Sequence, residues 1–277
     1  MSVATKANID AWFERIGFAG SIAPSVETLT QLVQLHLAAI PFENLDPLMG
    51  VPIRLELANL QQKLLFDRRG GYCLEHNLLL RAMLEELDFE VRAHGATVVW
   101  GRTEVAADEP HTHLVLTVDV AGATYLVDVG FGGPTPTAPL RLRAEVEQET
   151  PHETYRLAET DGLWRLEQRR GEQDWQGLYE FTTVEVAAEG LVQMNERVSS
   201  SPAFRERLVA ARAEKGRRLA LRNLRFNIHA AGAPTETRLL ATTAELREVL
   251  AGPFGIQLPH DERLEPALQK IVDGGAD

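Results

Sequence analysis

The chain has 277 residues, of which 44% are hydrophobic, and its formal net charge is −12. This length and hydrophobic content suffice for a real core spread over two or three modules. The negative charge repels phosphate backbones and anionic lipid, so neither nucleic acid nor a membrane is an expected partner. No run approaches the roughly 18 apolar residues of a membrane span. Asp10, Glu14 and Arg15 interrupt the stretch that a signal peptide would need, so a cytoplasmic protein is predicted.

The first part of the chain, residues 1–88, has a mainly helical pattern. Apolar residues recur partly at helical spacing over Val26–Ala39. Pro41 must stop that helix because proline cannot extend the hydrogen-bond ladder. Residues 59–65 are a second, shorter helical candidate, and 73–87 are a third because helix formers continue there without Gly or Pro.

Phe89 opens a different pattern, which predicts β structure over residues 89–200. Segments rich in Val, Leu, Thr and aromatic residues are bounded by Gly and Pro, as short strands separated by turns are. This run predicts an antiparallel sheet or a small barrel. The predicted strands are 90–100, 113–119, 124–129, 154–157, 164–168 and 175–181.

The last part, residues 201–277, has a mixed pattern. Its predicted elements are a helix over 203–215, strands over 219–229 and 236–240, and a helix over 243–250. Thr242 or Thr243 is expected to open the last helix, because a threonine hydroxyl can cap the first free backbone N–H groups. The predicted fold class is therefore α+β, with helices first, a β domain next and a mixed module at the end.

Cys73 is the only cysteine, which excludes an intramolecular disulfide and a zinc site made of several cysteines. A lone cysteine is more often a small buried hydrophobe than a catalyst. Here Gly70 and Gly71 precede it, so the backbone can turn tightly and approach a ligand closely. A helix that begins at the cysteine surrounds its sulfur with unpaired N–H groups and a positive dipole end, and Arg69 adds charge. These features favour the nucleophilic thiolate; a buried structural cysteine is the alternative.

A cysteine nucleophile requires a histidine, and the histidine requires an orienting acceptor. Among eight histidines, His113 begins a predicted strand that a turn joins to a second strand ending near Asp128. If the hairpin is centred on Ala121 and Gly122, the numbers of paired residues sum to 243, which sets Asp128 opposite Val115. Residues 113 and 115 face the same side of a strand. His113 and Asp128 then become diagonal neighbours, about 7–8 Å apart at the backbone.

Two alternative roles for these residues stay open. Asp128 interrupts an apolar strand, where a carboxylate is costly unless paired, and a structural ion pair would satisfy it. His111 and His113 form a His-x-His pair that could bind a metal together with Asp128. We rank the metal site lower because no further ligand-spaced His or Glu pair accompanies it, and because His111 follows Pro110 at the start of the strand.

Several motifs together resemble the arylamine N-acetyltransferase family. They occur in order and at fitting spacing over nearly the whole chain, whereas any one of them alone would be weak. The motifs are 40–46 (IPFENLD), 69–77 (RGGYCLEHN), 112–113 (TH), 128–132 (DVGFG), 179–181 (YEF) and 201–204 (SPAF). The resemblance implies a helical bundle over 1–88, a central antiparallel barrel-like β domain over 89–200 and a C-terminal α/β lid over 201–277. It also implies a cysteine-protease-like triad of Cys73, His113 and Asp128.

The resemblance further implies an activity. Enzymes of that family acetylate arylamines and arylhydrazines by a ping-pong route, in which the cysteine takes the acetyl group of acetyl-CoA and passes it to the amine nitrogen. On that basis we expect His113 to take the thiol proton and Asp128 to orient the histidine. Backbone N–H groups, including that of Cys73, are expected to stabilise the oxyanion. The implied co-substrate is acetyl-CoA, and no metal is implied.

Binding residues can be carried over from the same resemblance. Positions that match the family's acceptor pocket are Phe42, Val98, Phe131 and Phe204. Positions that match its donor site are Trp100, Thr112 and Gly132. Flat aromatic surfaces suit aromatic amines. Thr97 stands where relatives often have arginine, which alters the pocket mouth. The basic segment 205–225 could meet the phosphates of CoA, although a solvated helix face is the plainer interpretation.

Rival functions differ in chemistry rather than in fold. An amide synthase with the same fold and triad would take a polyketide acyl chain from a carrier protein. A cysteine hydrolase could use the same three residues, but it must admit water to the thioester. A binding module would need Cys73 to be merely structural.

Overall fold

The computed structural model of the protein describes residues 6–102, 106, 109–171 and 173–275. Its N-terminal part is mainly helical, as predicted. The helices there are α1 (Ile9–Ile16), α2 (Val26–Ala39), α3 (Leu45–Met49), α4 (Leu57–Gln61), which continues as a π-helical turn (Gln62–Phe66), and α5 (Cys73–Glu86). Between α2 and α3, Phe42–Glu43 form a short strand, β1.

The ends of α2 and α5 follow from local chemistry. The Ser25 hydroxyl accepts a hydrogen bond from the Thr28 N–H at 3.1 Å and so caps α2. Ile40 is extended (φ −112°, ψ 106°), the conformation that a residue before proline prefers. Helix α2 therefore has the predicted bounds. Helix α5 begins at Cys73, as predicted, so the cysteine lies in the first turn.

The larger sheet curls into a nearly closed, barrel-like form. Its strands are β2 (Glu90–Val98), β3 (His113–Val120), β4 (Ala123–Val127), β5 (Leu140–Arg141), β6 (Gln148–Glu149), β7 (Thr154–Thr160), β8 (Leu163–Arg169) and β9 (Gln176–Glu185). They pair antiparallel in the order β5-β4-β3-β2-β9-β8-β7-β6. The two edge strands, β5 and β6, are linked by the Gln148 side chain. It accepts a hydrogen bond from the Arg141 N–H at 2.7 Å and donates one to the Arg141 C=O at 3.0 Å.

The β3–β4 hairpin has the register that the sequence predicts. Leu116 pairs with Val127 and Thr117 with Leu126, so the paired numbers sum to 243. Ala121 and Gly122 both have positive φ, 52° and 73°. That conformation at both central residues matches the twist of a two-residue hairpin. The turn thus fixes which residues of the two strands share a face.

The C-terminal part combines further helices with a second antiparallel sheet. The helices are α6 (Ala188–Ser200), α7 (Pro202–Arg205), α8 (Thr243–Ala251) and α9 (Leu264–Gly274). The strands are β10 (Val209–Glu214), β11 (Arg217–Arg222), β12 (Arg225–Ala230) and β13 (Glu236–Leu239). The sheet order is β1-β10-β11-β12-β13. Strand β1 from the helical part therefore forms one edge of this sheet.

The predicted helix over 203–215 is wrong. Only Pro202–Arg205 is helical, and Val209–Glu214 is a strand between β1 and β11. Alanine and glutamate favour helices in isolation, but pairing on both sides overrides that preference. Ala210 packs toward the core with α8 and α9, whereas Ala211 packs toward the N-terminal helices, the alternation of a strand buried on both faces.

The predicted strand over 219–229 is a hairpin instead. Strands β11 and β12 pair antiparallel, with Arg222 opposite Arg225. The chain reverses at Asn223, whose φ is 50°. Asparagine tolerates this left-handed conformation better than most residues, and its Oδ1 accepts a hydrogen bond from the Leu208 N–H at 3.0 Å. The predicted last helix is confirmed, with Thr242 as its cap.

Buried apolar side chains form three clusters that hold the elements together. The first joins α1, α2 and α5 to one face of β2 and β3, the second joins the smaller sheet to α8 and α9, and the third fills the inside of the larger sheet. Across the described ranges, no helix has both the length and the apolar character needed to cross a bilayer. The start of α5 and the two sheets do not pack fully against one another, and a cavity lies between them.

Candidate active site

The cavity between the start of α5, the larger sheet and the smaller sheet has a volume of about 600 Å³. Cys73 and His113 face it. The residues matched to an acceptor pocket (Phe42, Val98, Phe131, Phe204) and to a donor site (Trp100, Thr112, Gly132) also line it. Of the ten predicted site residues, Asp128 alone does not line the cavity, because it lies buried behind His113. A concave, mostly apolar cavity with a few polar groups is the usual form of a small-molecule site.

The two glycines before Cys73 are needed because the backbone is crowded there. A Cβ atom on Gly70 would lie 2.0 Å from the Pro41 carbonyl oxygen, and one on Gly71 would lie 2.8 Å from Glu75 Oε2. Both distances are far shorter than a real contact. The close approach lets the Tyr72 N–H donate to Glu75 Oε2 at 3.0 Å, a bond that caps the N-terminus of α5. The first turn of α5 is thus pressed against β1 and presents Cys73 to the cavity.

Arg69 does not point its charge at Cys73, contrary to the expectation from sequence. Its guanidinium pairs with Glu43 and Asp46 at 2.7 and 2.8 Å. Lys63 extends the cluster through Asp46 and Glu75, each at 2.7 Å. The buried cluster is therefore internally paired, as buried charges must be, and it anchors both ends of the Gly70–Gly71 segment.

His113 and Asp128 form a buried pair. His113 Nε2 lies 2.7 Å from Asp128 Oδ2, and both side chains are almost wholly shielded from solvent. Burial opposes a charged imidazole, but the Asp128 carboxylate and the interaction with Cys73 outweigh it and raise the pKa of His113 to about 10. Burial also opposes a charged carboxylate, yet His113 and its other donors keep the pKa of Asp128 below its ordinary value. The pair is thus held as imidazolium and carboxylate.

Asn77 connects this pair to the nucleophile's helix, a role that the sequence motif did not reveal. Its Nδ2 donates to Asp128 Oδ1 at 3.0 Å and to the Leu114 carbonyl at 2.7 Å. Its Oδ1 accepts from the Val129 N–H at 3.1 Å. Asn77 lies one helical turn after Cys73, and its bonds tie α5 to β3 and to the residues that follow β4. The signal in the sequence is a polar amide at i+4 from the cysteine, on the same face of the helix.

Aromatic rings surround the His113 side of the cavity. The Phe131 ring centroid lies 5.0 Å from that of His113 in an edge-on arrangement. Tyr179, which belongs to one of the sequence motifs but had no predicted role, lies 5.0 Å from His113 and 5.1 Å from Phe131. Phe42 and Phe204, which also line the cavity, are 6.3 Å apart. A flat apolar ligand that reaches Cys73 would therefore contact aromatic rings.

The residues matched to a donor site lie at the rim. Trp100 is 48% exposed and contacts Phe131 at a centroid distance of 6.2 Å. The Thr112 carbonyl oxygen lies 3.9 Å from Cys73 Sγ. Gly132 has a φ of 83°, and a Cβ there would approach the Phe42 ring at 3.7 Å. All three residues line the same cavity as Cys73.

The metal alternative has no support in the residues described. No group of three His, Cys, Asp or Glu side chains there could hold a metal ion. The His111 Nδ1 lies 3.1 Å from Thr97 Oγ1, while its backbone carbonyl accepts from Arg197. Strand β3 begins only at His113, so His111 lies in the preceding loop, as predicted.

The loop after Asp128 is fixed by a buried arginine of the smaller sheet. Arg218 donates to the carbonyls of Gly133 and Thr135 at 3.0 and 2.8 Å, and it pairs with Glu153 at 2.6 Å. The Thr135 hydroxyl donates to the Asp128 carbonyl at 2.8 Å. This loop carries Gly130 to Gly133 along the cavity wall, so Arg218 holds one wall of the cavity against β11.

Replacing Gly130 by Ala is expected to destabilise the protein by about 1–3 kcal/mol and to impair the function of Cys73. A Cβ there would lie 2.7 Å from Cys73 Cα and 2.8 Å from the Cys73 carbonyl oxygen. Relieving this overlap requires a shift of the backbone at Cys73, which costs more than a change of side-chain rotamer. Gly133→Ala is the matched control in the same loop, because nothing lies within 4 Å of its added methyl group. Thermal unfolding and thiol labelling of both variants test this contrast, and equal behaviour of the two would contradict it.

The chain is similar to proteins of known activity. A family model described as N-acetyltransferase matches residues 25–263. An arylamine N-acetyltransferase of Mycobacterium tuberculosis is 42% identical over 257 residues, which cover 91% of this chain and 90% of that protein. The structure of the Mycobacterium marinum arylamine N-acetyltransferase matches with a TM-score of 0.91 at 39% identity, over 96% of this chain and 100% of that one. The structure of the Mycobacterium marinum enzyme in complex with CoA matches with a TM-score of 0.90 at 39% identity, over 95% of this chain and 99% of that one.

Proposed function

The chain belongs to the N-acetyltransferase family, and from that premise we propose that it transfers the acetyl group of acetyl-CoA to the nitrogen of an arylamine or arylhydrazine through an acetyl-cysteine intermediate. One observation carries the proposal: Cys73 and the buried His113–Asp128 pair meet at an apolar cavity of about 600 Å³ with aromatic walls. The arylamine N-acetyltransferases among its relatives support the acceptor class, and the CoA complex of one of them supports the donor.

In the first half-reaction Cys73 is the nucleophile and His113 carries its proton. The sulfur attacks the acetyl carbonyl carbon, and a C–S bond forms as the carbonyl oxygen becomes an oxyanion. Backbone N–H groups at the start of α5, that of Cys73 included, stabilise this oxyanion. The bond to the CoA sulfur then breaks, and His113 returns its proton to the departing thiolate.

In the second half-reaction the amine takes the place of CoA. Its nitrogen attacks the carbonyl carbon of the Cys73 thioester, and His113 accepts a proton from that nitrogen. The C–S bond breaks, the Cys73 thiolate is regenerated beside the imidazolium, and the amide leaves. Asp128 holds the imidazole in one orientation throughout, because its Oδ2 binds Nε2 and leaves Nδ1 free for the exchange.

Three basic residues that line the cavity fit the anionic donor. They are Arg197, Arg207 and Arg222, and within the described ranges the guanidinium groups of Arg207 and Arg222 have no acidic partner. Arg207 and Arg222 belong to the basic segment 205–225, for which the plainer interpretation was a solvated helix face. In the structure neither is helical: Arg222 lies at the end of strand β11 and Arg207 just before β10. We expect them to face the phosphate groups of CoA, since arginine binds phosphate through charge-assisted hydrogen bonds.

Replacing Arg222 by Ala is expected to raise the KM for acetyl-CoA by about tenfold, the effect of one hydrogen bond to a charged group, with little change in the KM for the acceptor. Arg225→Ala is the control, because Arg225 is exposed opposite Arg222 in the hairpin but does not line the cavity. Steady-state kinetics at two salt concentrations measure the two KM values for each variant. An unchanged KM in Arg222→Ala would remove this residue from the donor site.

The release of CoA without an acceptor tests the proposed function and separates its rivals. We expect native protein to release about one CoA per chain in a burst and then nearly stop, and to turn over continuously once an arylamine is added. Continuous release without amine would identify a cysteine hydrolase. The absence of a burst would contradict the acetyl-CoA proposal and favour an enzyme that takes its acyl group from a carrier protein.

A further inference from the structure

Three buried aromatic side chains behind the cavity wall form a hydrogen-bonded row that the proposed chemistry does not use. Trp12 Nε1 lies 3.4 Å from His36 Nδ1, His36 Nε2 lies 3.0 Å from His76 Nδ1, and His76 Nε2 lies 3.1 Å from the Pro41 carbonyl oxygen. The three side chains come from α1, α2 and α5 and are all wholly buried. We call this row the His36–His76 relay.

Both ends of the relay impose the same direction on it. The Pro41 carbonyl can only accept, so His76 must carry its proton on Nε2 and accept at Nδ1. His36 must then donate from Nε2 and accept at its own Nδ1. At the other end the Trp12 indole can only donate, which is what His36 Nδ1 requires. One neutral tautomer of each histidine therefore satisfies every polar atom in the row.

The surroundings keep both rings neutral. Burial is the main reason that the pKa of His76 falls to about 4, and burial together with His76 lowers the pKa of His36 well below its ordinary value. These proton positions therefore persist over the neutral pH range, and the row acts as a fixed support for Pro41.

The relay ends at the residue before Phe42, a wall of the cavity. The Phe42 ring is nearly parallel to the His76 ring, with an interplanar angle of 9° and a centroid distance of 6.5 Å. The Pro41 carbonyl that His76 binds is also the acceptor for the Gly71 N–H at 3.4 Å. His76 therefore contacts the wall twice, through the Pro41 carbonyl and through the ring face of Phe42.

We propose that His76 is a positioning residue for the acceptor: oriented by Trp12 and His36, it holds Phe42 in place against the aromatic substrate. The inference rests on the proposed function, because it assigns Phe42 to the acceptor rather than to the acetyl donor. It predicts that damage to the relay affects the second half-reaction and spares the first. His76 itself does not touch the cavity.

Variants at His76 separate this role from plain stability. His76→Leu removes the donor to Pro41 and is expected to raise the acceptor KM by about tenfold, the effect of one lost buried hydrogen bond, while acetylation of Cys73 by acetyl-CoA stays within about twofold. His76→Gln keeps an N–H donor of similar reach and is expected to restore most of the acceptor KM. Leu84→Ala is the control, because it opens a buried cavity in the same helix away from the relay. Parallel loss in both half-reactions, or failure of Gln to restore the KM, would overturn the proposal.

A second measurement does not depend on any variant folding or on activity. Nitrogen chemical shifts of the histidine rings in the native protein report which nitrogen carries the proton, and we expect Nε2–H for both His36 and His76. A Nδ1–H tautomer at either histidine would overturn the relay. If native protein released no CoA from acetyl-CoA, the proposed function would fail, whereas the ring nitrogens would still decide whether the relay exists.

Discussion

Asp128→Asn is expected to lower kcat/KM by about 10⁴-fold, the scale of the loss when the orienting carboxylate of a catalytic triad becomes an amide. The carboxylate binds His113 Nε2 at 2.7 Å and raises the pKa of His113 to about 10. An amide at the same place can present its N–H₂ to that nitrogen, which selects the opposite tautomer. Neutral His113 would then carry its proton on the nitrogen that faces Cys73, so it could neither take the thiol proton to form the thiolate–imidazolium pair nor accept the proton of the attacking amine.

Asp119→Asn is the matched control for this variant. Asp119 lies on the same hairpin, but it is at the turn and pairs with Arg92 and Thr124 at the surface. We expect its kcat/KM to stay within about twofold of native, as surface substitutions away from a site usually do little. Both variants should show native circular dichroism. Near-native activity of Asp128→Asn would mean that another carboxylate orients His113.

Cys73→Ser is expected to lower turnover by about 10⁴-fold or more. The nucleophile, the histidine and the carboxylate act as one unit, so removing the nucleophile also removes the contribution of the other two. Serine keeps the shape of the first turn of α5, so the fold and the cavity should persist. A hydroxyl is a much weaker nucleophile than a thiolate at neutral pH, and the imidazolium of His113 cannot activate it by accepting a proton.

Binding measurements show whether this loss is chemical. We expect Cys73→Ser to bind CoA with an affinity within about threefold of native, because the sulfur supplies only a small part of the contact area of so large a ligand. Calorimetric titration with CoA provides that comparison. Activity of Cys73→Ser within about tenfold of native would show that the cysteine is structural, which is the plainer interpretation of a lone cysteine.

The parts of the fold that the sequence predicts best are those that local chemistry decides. Helix α2 has its predicted bounds because Ser25 caps one end and Pro41 closes the other. The β3–β4 register is as predicted because a two-residue turn with positive φ at Ala121 and Gly122 leaves no other pairing. That register brings His113 and Asp128 together, so the turn residues predict this pair but not its position relative to Cys73.

The C-terminal part was less predictable because distant partners decide it. The segment 209–214 has the composition of a helix, yet β1 from residue 42 pairs with it and makes it a strand. Helix α6, which brings Arg197 to the cavity, was not predicted. Its N-cap Ala187 makes no side-chain hydrogen bond, and only Met194 and Val198 of the helix are buried. The sequence therefore carries neither a strong start signal nor an apolar stripe for this helix. Contacts between residues far apart in sequence leave no local pattern to read.

The site itself divides in the same way. Sequence reasoning predicted Cys73, His113 and Asp128 from residue type, register and the family resemblance; in the structure Cys73 and His113 line one cavity, and Asp128 binds His113. It did not single out Asn77 or His76, because their contacts are with residues far away in the sequence: Leu114, Asp128 and Val129 for Asn77, and Pro41 for His76. Nor could it show that Arg69 is paired with Glu43 and Asp46 and so is not free to act on Cys73. Hydrogen bonds between elements can be assigned only after the elements are packed.

Intact mass measurement tests the acetyl-cysteine intermediate most directly. Native protein incubated with acetyl-CoA and no amine should gain the mass of one acetyl group, located on the peptide that contains Cys73. Addition of an arylamine should remove that mass and yield one equivalent of acetylated amine, whereas Cys73→Ser should gain no mass. An unmodified native protein, or an acetyl group on a lysine that the amine cannot remove, would contradict the account.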